Sequence, residues 1–401
     1  MKRILVPALL FAAQGLVAQA PERARDLGLP IGGTAGTLDA ITDVAGVEVG
    51  HVTLIEGQGK LVVGKGPVRT GVTAVLPRGK NDPDPVFGAW GSINGNGEMT
   101  GTHWLEESGF LWGPVMITNT MSVGVVRDAV IAWEIAKQSS AFDFALPVVA
   151  ETWDGGLNDI SGFHVTKEHA IAAIEAAAPG PVPEGNVGGG TGMVCHQFKG
   201  GIGTASRVLG PTQGGYTVGV LVQCNYGRRS RLSIAGVPVG KAIPDLLPCY
   251  PGAVPPGESR RAVCARGAGA DGDGSGSIIV IVATDAPLMP HQLKRIAKRV
   301  ALGIGRMGGL GEDTSGDLFI AFSTANRGAA VDTGTAKLTM LPNDRISPLF
   351  EATVQATEEA IVNAMLAART MTGANDLTVF ALPHDRLRTV MKKYPPPTPA
   401  P

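Results

Sequence analysis

One junction in this chain suggests chemistry from residue type and order alone. In "DGDGSGSIIVIVATDAPL", residues 271–288, a Gly/Ser/Asp stretch runs straight into the apolar run Ile278–Val282. A hydroxyl directly after a glycine can attack the preceding carbonyl, because Gly276 has no Cβ to obstruct a strained peptide. Hydrolysis of the resulting ester frees Ser277 as a new N-terminus. Its α-amine, with an ordinary pKa of about 8, can then serve as general base for its own hydroxyl. The plainer reading is a Gly/Ser loop entering a buried strand, and these residues alone leave both open.

Other chemistries find less support. The seven histidines are scattered without HExxH or HxH spacing, so no metal site is expected. His103, His164 and His196 read as ordinary turn or surface residues, and no Ser-His-Asp triad is legible. Gly274-Ser275-Gly276 precedes its strand, whereas a nucleophile elbow follows one. Gly267–Gly272 and Gly303–Gly308 both match GxGxxG, but neither has the strand–turn–helix setting that a dinucleotide needs. "GNVGGGTGMVC" (185–195) lacks the Gly-Lys-Ser/Thr ending of a phosphate loop and reads as a tight turn that lets backbones approach closely.

The elements that must position Ser277 follow from hydrophobic period. Val115–Thr118, Phe144–Ala150, Val218–Cys224, Ile278–Ala283, Leu318–Ser323 and Leu377–Leu382 read as strands, several apolar on both faces. After Pro290, Leu293, Ile296, Ala297, Val300, Ala301 and Ile304 recur at helical spacing, with Lys and Arg on the opposite face. A second long helix spans about Pro348 to Arg369 and contains Phe350, Val354, Ile361 and Met365. Asp128–Lys137 and Glu168–Ala177 are further helix candidates. Strands covered by helices on both sides predict a layered α/β architecture. Residues 243–276 and the tail "YPPPTPAP" carry no period and read as unpacked.

Composition bounds the partners and the compartment. The 401 residues are 44% apolar and 17% charged, with 56 glycines and a net charge of −1. Nothing there suggests nucleic acid or an anionic lipid surface. Lys2 and Arg3, the apolar Ile4–Ala13 and the small-residue exit Ala18-Gln19-Ala20 read as a secretion signal over residues 1–20. No other run of 18 apolar residues occurs, so no membrane span is expected. Residues 21–401 then form one periplasmic or secreted catalytic domain, cut into 21–276 and 277–401. Of the four cysteines, Cys249 and Cys264 are the disulfide candidates, while Cys195 and Cys224 read as buried thiols.

Several stretches together resemble a known family. They include "AITDVAGVEVGH" (40–51), "RTGVTAVLPRG" (69–79), "NGNGEMTGTHWLEESG" (94–109), "ITNTMSVGVVRDA" (117–129), "GGGTGMVCHQFKGGIGTASR" (188–207), "GSIIVIVATDAPL" (276–288), "SGDLFIAFSTAN" (315–326) and "PLFEATVQATEEAIVNA" (348–364). In order, and across almost all of residues 24–384, they resemble the DmpA/BapA-type peptidases, the L-aminopeptidase/D-alanine esterases and β-peptidyl aminopeptidases. The resemblance implies a four-layer αββα sandwich, similar to N-terminal nucleophile hydrolases but differently connected. It also implies a precursor that cuts itself between Gly276 and Ser277, two chains that stay together, a homotetramer and no cofactor.

By motif, the resemblance makes Ser277 the nucleophile, with Ser275 a lesser candidate. Ser315 and Asp317 would tune it, although the family acid is a glutamate, one methylene longer. Asn225 would donate to the oxyanion. Trp153 stands where a tyrosine is expected, and its indole can donate but not accept. Glu151 would hold the free ammonium of a small peptide, amide or ester substrate. An acyltransferase of the ornithine acetyltransferase type is the neighbouring alternative, although those enzymes use threonine as nucleophile. A secreted binding protein that has lost catalysis is the alternative of another class.

Overall fold

The computed structural model describes residues 22–137, 144–256, 258, 261–264 and 276–394. The leader, the Gly267–Gly272 motif, Ser275 and residues 395–401 lie outside the described residues.

Two sheets lie face to face. One runs in the order Glu48–Glu56, Val68–Leu76, Val115–Asn119, Val148–Thr152. The other runs Phe110–Leu111, Val86–Gly95, Gly316–Ser323, Ser277–Thr284, Thr217–Asn225, Gly201–Val208. The strand Ser277–Thr284 is buried along its whole length, and its alternation divides it between two cores. Ile279, Ile281 and Ala283 meet Val75, Ile117 and Ala150 of the first sheet. Ile278, Val280 and Val282 point the other way, into the core that holds the helices Pro290–Arg306 and Ser347–Ala367. Each such Ile or Val contributes on the order of 1.5–3 kcal/mol relative to exposure. On the far side of the first sheet, Val72, Met116 and Val149 pack with Val126, Val130, Ala170 and Ile174 of the helices Val123–Lys137 and Lys167–Glu175. The layers are therefore helix, sheet, sheet, helix. The four-layer αββα sandwich follows from strands that are apolar on both faces.

Helix Pro290–Arg306 buries Leu293, Ile296, Ala297, Val300 and Ile304, in agreement with the sequence period, and its C-terminal turn absorbs the Gly303–Gly308 motif. Helix Ser347–Ala367 departs from a one-faced pattern. From Ala356 to Ala367 every residue is buried, because the N-terminal segment covers the side away from the sheet. Ala24 N–H donates to Asn363 Oδ1 at 2.9 Å there.

Other expectations are corrected. The strand placed at Phe144–Ala150 runs instead over Val148–Thr152. Leu377–Leu382 contributes only Thr378–Val379, part of a small sheet with Met371–Thr372, Cys249–Tyr250 and Ala262–Val263. The described part of the 243–276 segment therefore carries structure, fastened by the Cys249–Cys264 disulfide. Cys195 and Cys224 are not thiols but a second disulfide, their Cα atoms 5.5 Å apart. His196, expected at a turn or the surface, has no exposure, with its ring edge-on to Tyr226. His164 pairs with Asp159 at 2.8 Å.

Glycine sets the spacing between layers. The helix Ser347–Ala367 rides on the strand Gly201–Val208 at Gly203, where a Cβ would lie 2.0 Å from the Ala360 carbonyl oxygen and 2.5 Å from the Ala364 nitrogen. Both are backbone atoms and cannot rotate away. Gly203→Ala should force the helix off the sheet and destabilise by about 1–3 kcal/mol. A lowered midpoint in thermal unfolding checks this, and an unchanged midpoint contradicts it.

Candidate active site

Register brings the site together. Ser277, first residue of its strand, pairs with Asn225, last of the antiparallel neighbour, and with Gly316, first of the parallel neighbour. Three strand ends thus meet at one edge of the second sheet. Ser277 shares the inter-sheet face of Ile279 and Ile281, and Asn225 shares the face of Leu221. Ser277 is 6% exposed, and its Oγ accepts a hydrogen bond from the Gly316 N–H at 3.1 Å. The residue before it is crowded. A Cβ at position 276 would stand 1.9 Å from the Asn225 carbonyl oxygen, so only glycine fits.

Ser315 and Asp317 flank Gly316. The Ser315 hydroxyl donates to Asp317 Oδ1 at 2.7 Å, and both residues are buried. Burial pushes the Asp317 carboxyl up to about 6, opposed by the Ser315 hydroxyl and the Ile278 backbone and reinforced by the Glu312 charge. Strand alternation puts Asp317 on the helix-facing side with Phe319, so its link to the site runs through Ser315 and the Ile278 peptide.

Asn225 is held from two directions. Its Oδ1 accepts from the Val194 N–H at 2.8 Å, and its Nδ2 donates to the Trp153 carbonyl at 2.9 Å. Trp153 therefore meets this cluster through its main chain. Its indole lies over Gly155 and is 48% exposed.

Glu151 comes from the first sheet, opposite Thr118 on the parallel neighbour. Its carboxylate accepts from the Glu98 N–H at 2.9 Å and from the Thr120 hydroxyl. At 3% exposure it is pushed upward by burial, against those two hydrogen bonds. Gly97 is the spacer between the sheets here: a Cβ on it would lie 3.1 Å from Glu151 Oε1 and 3.3 Å from Gly316 Cα. Ser277, Ser315, Asp317, Asn225 and Glu151, spread over 167 positions, so converge on one edge.

The sequence reading did not single out Thr120, Gly97, the Gly316 N–H, or the Met193–Gly200 turn that supports Asn225. Only the density of glycine at 188–192 pointed to that turn. Gly189 would place a Cβ 2.9 Å from the Ile117 carbonyl oxygen, and Gly190 one 2.4 Å from the Ile202 nitrogen, which is the close backbone approach expected of it.

Comparison with known proteins gives the family. Residues 39–379 match the model of peptidase family S58. The chain is 57% identical over 374 residues to the β-peptidyl aminopeptidase BapA of Sphingosinicella microcystinivorans, covering 93% of this chain and 92% of that one. It is 48% identical to BapA of Sphingosinicella xenopeptidilytica, covering 97% and 95%. Among solved structures, the L-aminopeptidase D-Ala-esterase/amidase of Ochrobactrum anthropi superposes with a TM-score of 0.82 at 46% identity, covering 93% and 98%. That structure is described as a variant of the Ntn hydrolase fold. A β-aminopeptidase from Burkholderia sp. gives 0.81 at 45%, covering 94% and 100%. The chain belongs to peptidase family S58, the DmpA/BapA group, and is a serine-type aminopeptidase.

Proposed function

We propose that this aminopeptidase cuts its own chain between Gly276 and Ser277 and then releases N-terminal β-amino acid residues from small peptides and amides through an acyl-enzyme on Ser277. The observation that carries the reading is the register that sets Ser277 between Asn225 and Gly316, behind a glycine that no other residue could replace. The β-amino acid preference rests on the two BapA relatives.

In this reading the Ser277 amine takes the Oγ proton as Oγ bonds to the acyl carbon. The carbonyl oxygen becomes an oxyanion, met by the Asn225 Nδ2–H that Trp153 leaves over. Collapse breaks the C–N bond, and the protonated amine of Ser277 returns its proton to the leaving nitrogen. Water repeats the sequence on the ester and restores Ser277. Ser315, held by Asp317, orients the amine and hydroxyl. Glu151 receives the substrate ammonium, whose charge offsets the burial of the carboxylate. No cofactor takes part. We place the mature enzyme in the periplasm or medium as a homotetramer of two-chain protomers. Residues 1–20 and the two disulfides support an oxidising compartment.

Intact mass of the purified enzyme should show a small chain beginning at Ser277 and a large chain lacking the leader. Ser277→Ala should give one uncut, inactive chain, and a cut chain from that variant would refute the mechanism.

β-Homoglycyl p-nitroanilide should be turned over faster than the L-alanyl and D-alanyl compounds. Glu151→Gln should raise KM for it at least about tenfold, the loss expected for a buried charge pair. An unchanged KM would remove Glu151 from the amine site.

The pH profile of kcat separates the two groups that must lose protons once the bound substrate ammonium holds Glu151 ionised. The Ser277 amine, ordinarily near 8, and Asp317, near 6, both act deprotonated. Wild-type log kcat should therefore fall with slope one below about 8 and slope two below about 6. Asp317→Asn should keep slope one throughout, and a persistent slope of two would show that another group titrates near 6.

A further inference from the structure

The Asn225 amide has one orientation because its neighbours permit only one. The Val194 N–H can only donate and so faces Oδ1, whereas the Trp153 carbonyl can only accept and so faces Nδ2. The peptide that supplies the Val194 N–H has the Met193 carbonyl at its other end. That carbonyl accepts from Lys199 Nζ at 2.7 Å. Lys199 is wholly buried, and its ammonium also donates to the Gly200 and Gly190 carbonyls at 2.8 and 3.4 Å. Among the described residues no carboxylate pairs with it. Burial draws its pKa down to about 7. A buried cation with only carbonyls for company is costly to keep.

We propose that Lys199 is a positioning residue of the oxyanion site: its buried Nζ–H donor polarises the Met193–Val194 peptide, which in turn holds and polarises the Asn225 amide toward the acyl oxygen. Hydrogen bonds in series strengthen one another in a dry interior. Here the series runs from Lys199 Nζ–H to the Met193 carbonyl, from the Val194 N–H to Asn225 Oδ1, and from Asn225 Nδ2–H to the developing charge. The turn is fastened to the strand end on both sides of the contact. Cys195, next to Val194, is bridged to Cys224, next to Asn225. The His196 N–H donates to the Tyr226 carbonyl at 2.6 Å. Gly200 lets the turn close down, since a Cβ there would lie 2.3 Å from the Cys224 carbonyl oxygen. The inference rests on the role of Asn225 proposed above.

A double-mutant cycle tests it, with kcat and KM measured on β-homoglycyl p-nitroanilide for correctly cut enzyme whose unfolding midpoint confirms the fold. Asn225→Ala should lose roughly 10²–10³ in kcat. Lys199→Met should lose about 10- to 100-fold in kcat with KM within about twofold. In the double variant the Lys199→Met loss should vanish, because the Lys199 donor then acts through nothing. A purely structural Lys199 would give additive losses, and additivity or a wild-type kcat in Lys199→Met overturns the relay. If Lys199→Met yields no folded enzyme, Cys195→Ala/Cys224→Ala replaces it, since loosening the Val194 contact must give the same non-additive loss. Wild-type kcat in Asn225→Ala would refute the reading of the site and the relay together. A loss there with Lys199→Met unimpaired refutes the relay alone.

Discussion

Pairing of Ser277 on both sides is the constraint on which the rest of the structure depends. A chain terminus is ordinarily the least ordered part of a protein. Here the residue proposed to become a terminus begins an inner strand, laddered to Thr217–Asn225 on one side and Gly316–Ser323 on the other. Its neighbours Ile278 to Ala283 are wholly buried in two separate cores. Losing the peptide bond before Ser277 would remove a loop connection but none of these ladder bonds. The strand therefore has reason to stay in register after cleavage, and the Ser277 hydroxyl and amine would stay aimed with it.

That constraint explains why glycine clusters where it does. Strand ends converging on one edge leave no volume for side chains that do no chemistry. Gly276 abuts the Asn225 carbonyl, Gly316 abuts the backbone of Asn96 and Gly97, and Gly97 spaces Glu151 from the Gly316 strand. Each is a place where a Cβ would push apart groups that the proposed reaction needs within hydrogen-bond reach. The same principle operates away from the site, at Gly203 beneath its helix.

The sequence revealed most where burial and period act locally. Ile278–Ala283, Val218–Cys224 and the Pro290 helix were readable because one residue pattern satisfies one packing environment. Glu48–Glu56, Val68–Leu76, Val86–Gly95 and Gly201–Val208 were not read as strands. They carry Gly, Thr, Arg or His at positions where a strand would ordinarily show Val or Ile, and their burial comes from layers far away in sequence. For the site, Ser277 was suggested by its own junction. Asn225, Ser315 and Glu151 looked like turn formers or strand-end residues until the family resemblance singled them out. The Cys195–Cys224 bridge was missed because apolar flanks suit a buried thiol as well as a disulfide, and only the fold brings the two Cα atoms together. Lys199 was missed for a related reason: nothing in "HQFKGG" distinguishes a buried lysine from a solvated one.

The proposed mechanism requires two amines in one small site to hold opposite protonation states. The Ser277 amine must be neutral to accept a proton, while the substrate amine must be charged to be recognised. The two sheets offer a physical basis for keeping them apart. Glu151, on the first sheet, is a buried carboxylate whose desolvation is relieved by an arriving cation, so it favours an ammonium beside it. Around Ser277, on the second sheet, the Asp317 carboxylate is turned by alternation to the helix side and already accepts the Ser315 hydroxyl. Lys199, buried behind the Met193–Val194 peptide, and Arg229, buried against His196 and Gln197 of the same turn, add positive charge that disfavours another in the same region. An amine at the Ser277 edge thus gains little from being charged, whereas one at the Glu151 edge gains much. In the proposed mechanism the sandwich keeps base and substrate distinct by assigning each to its own sheet.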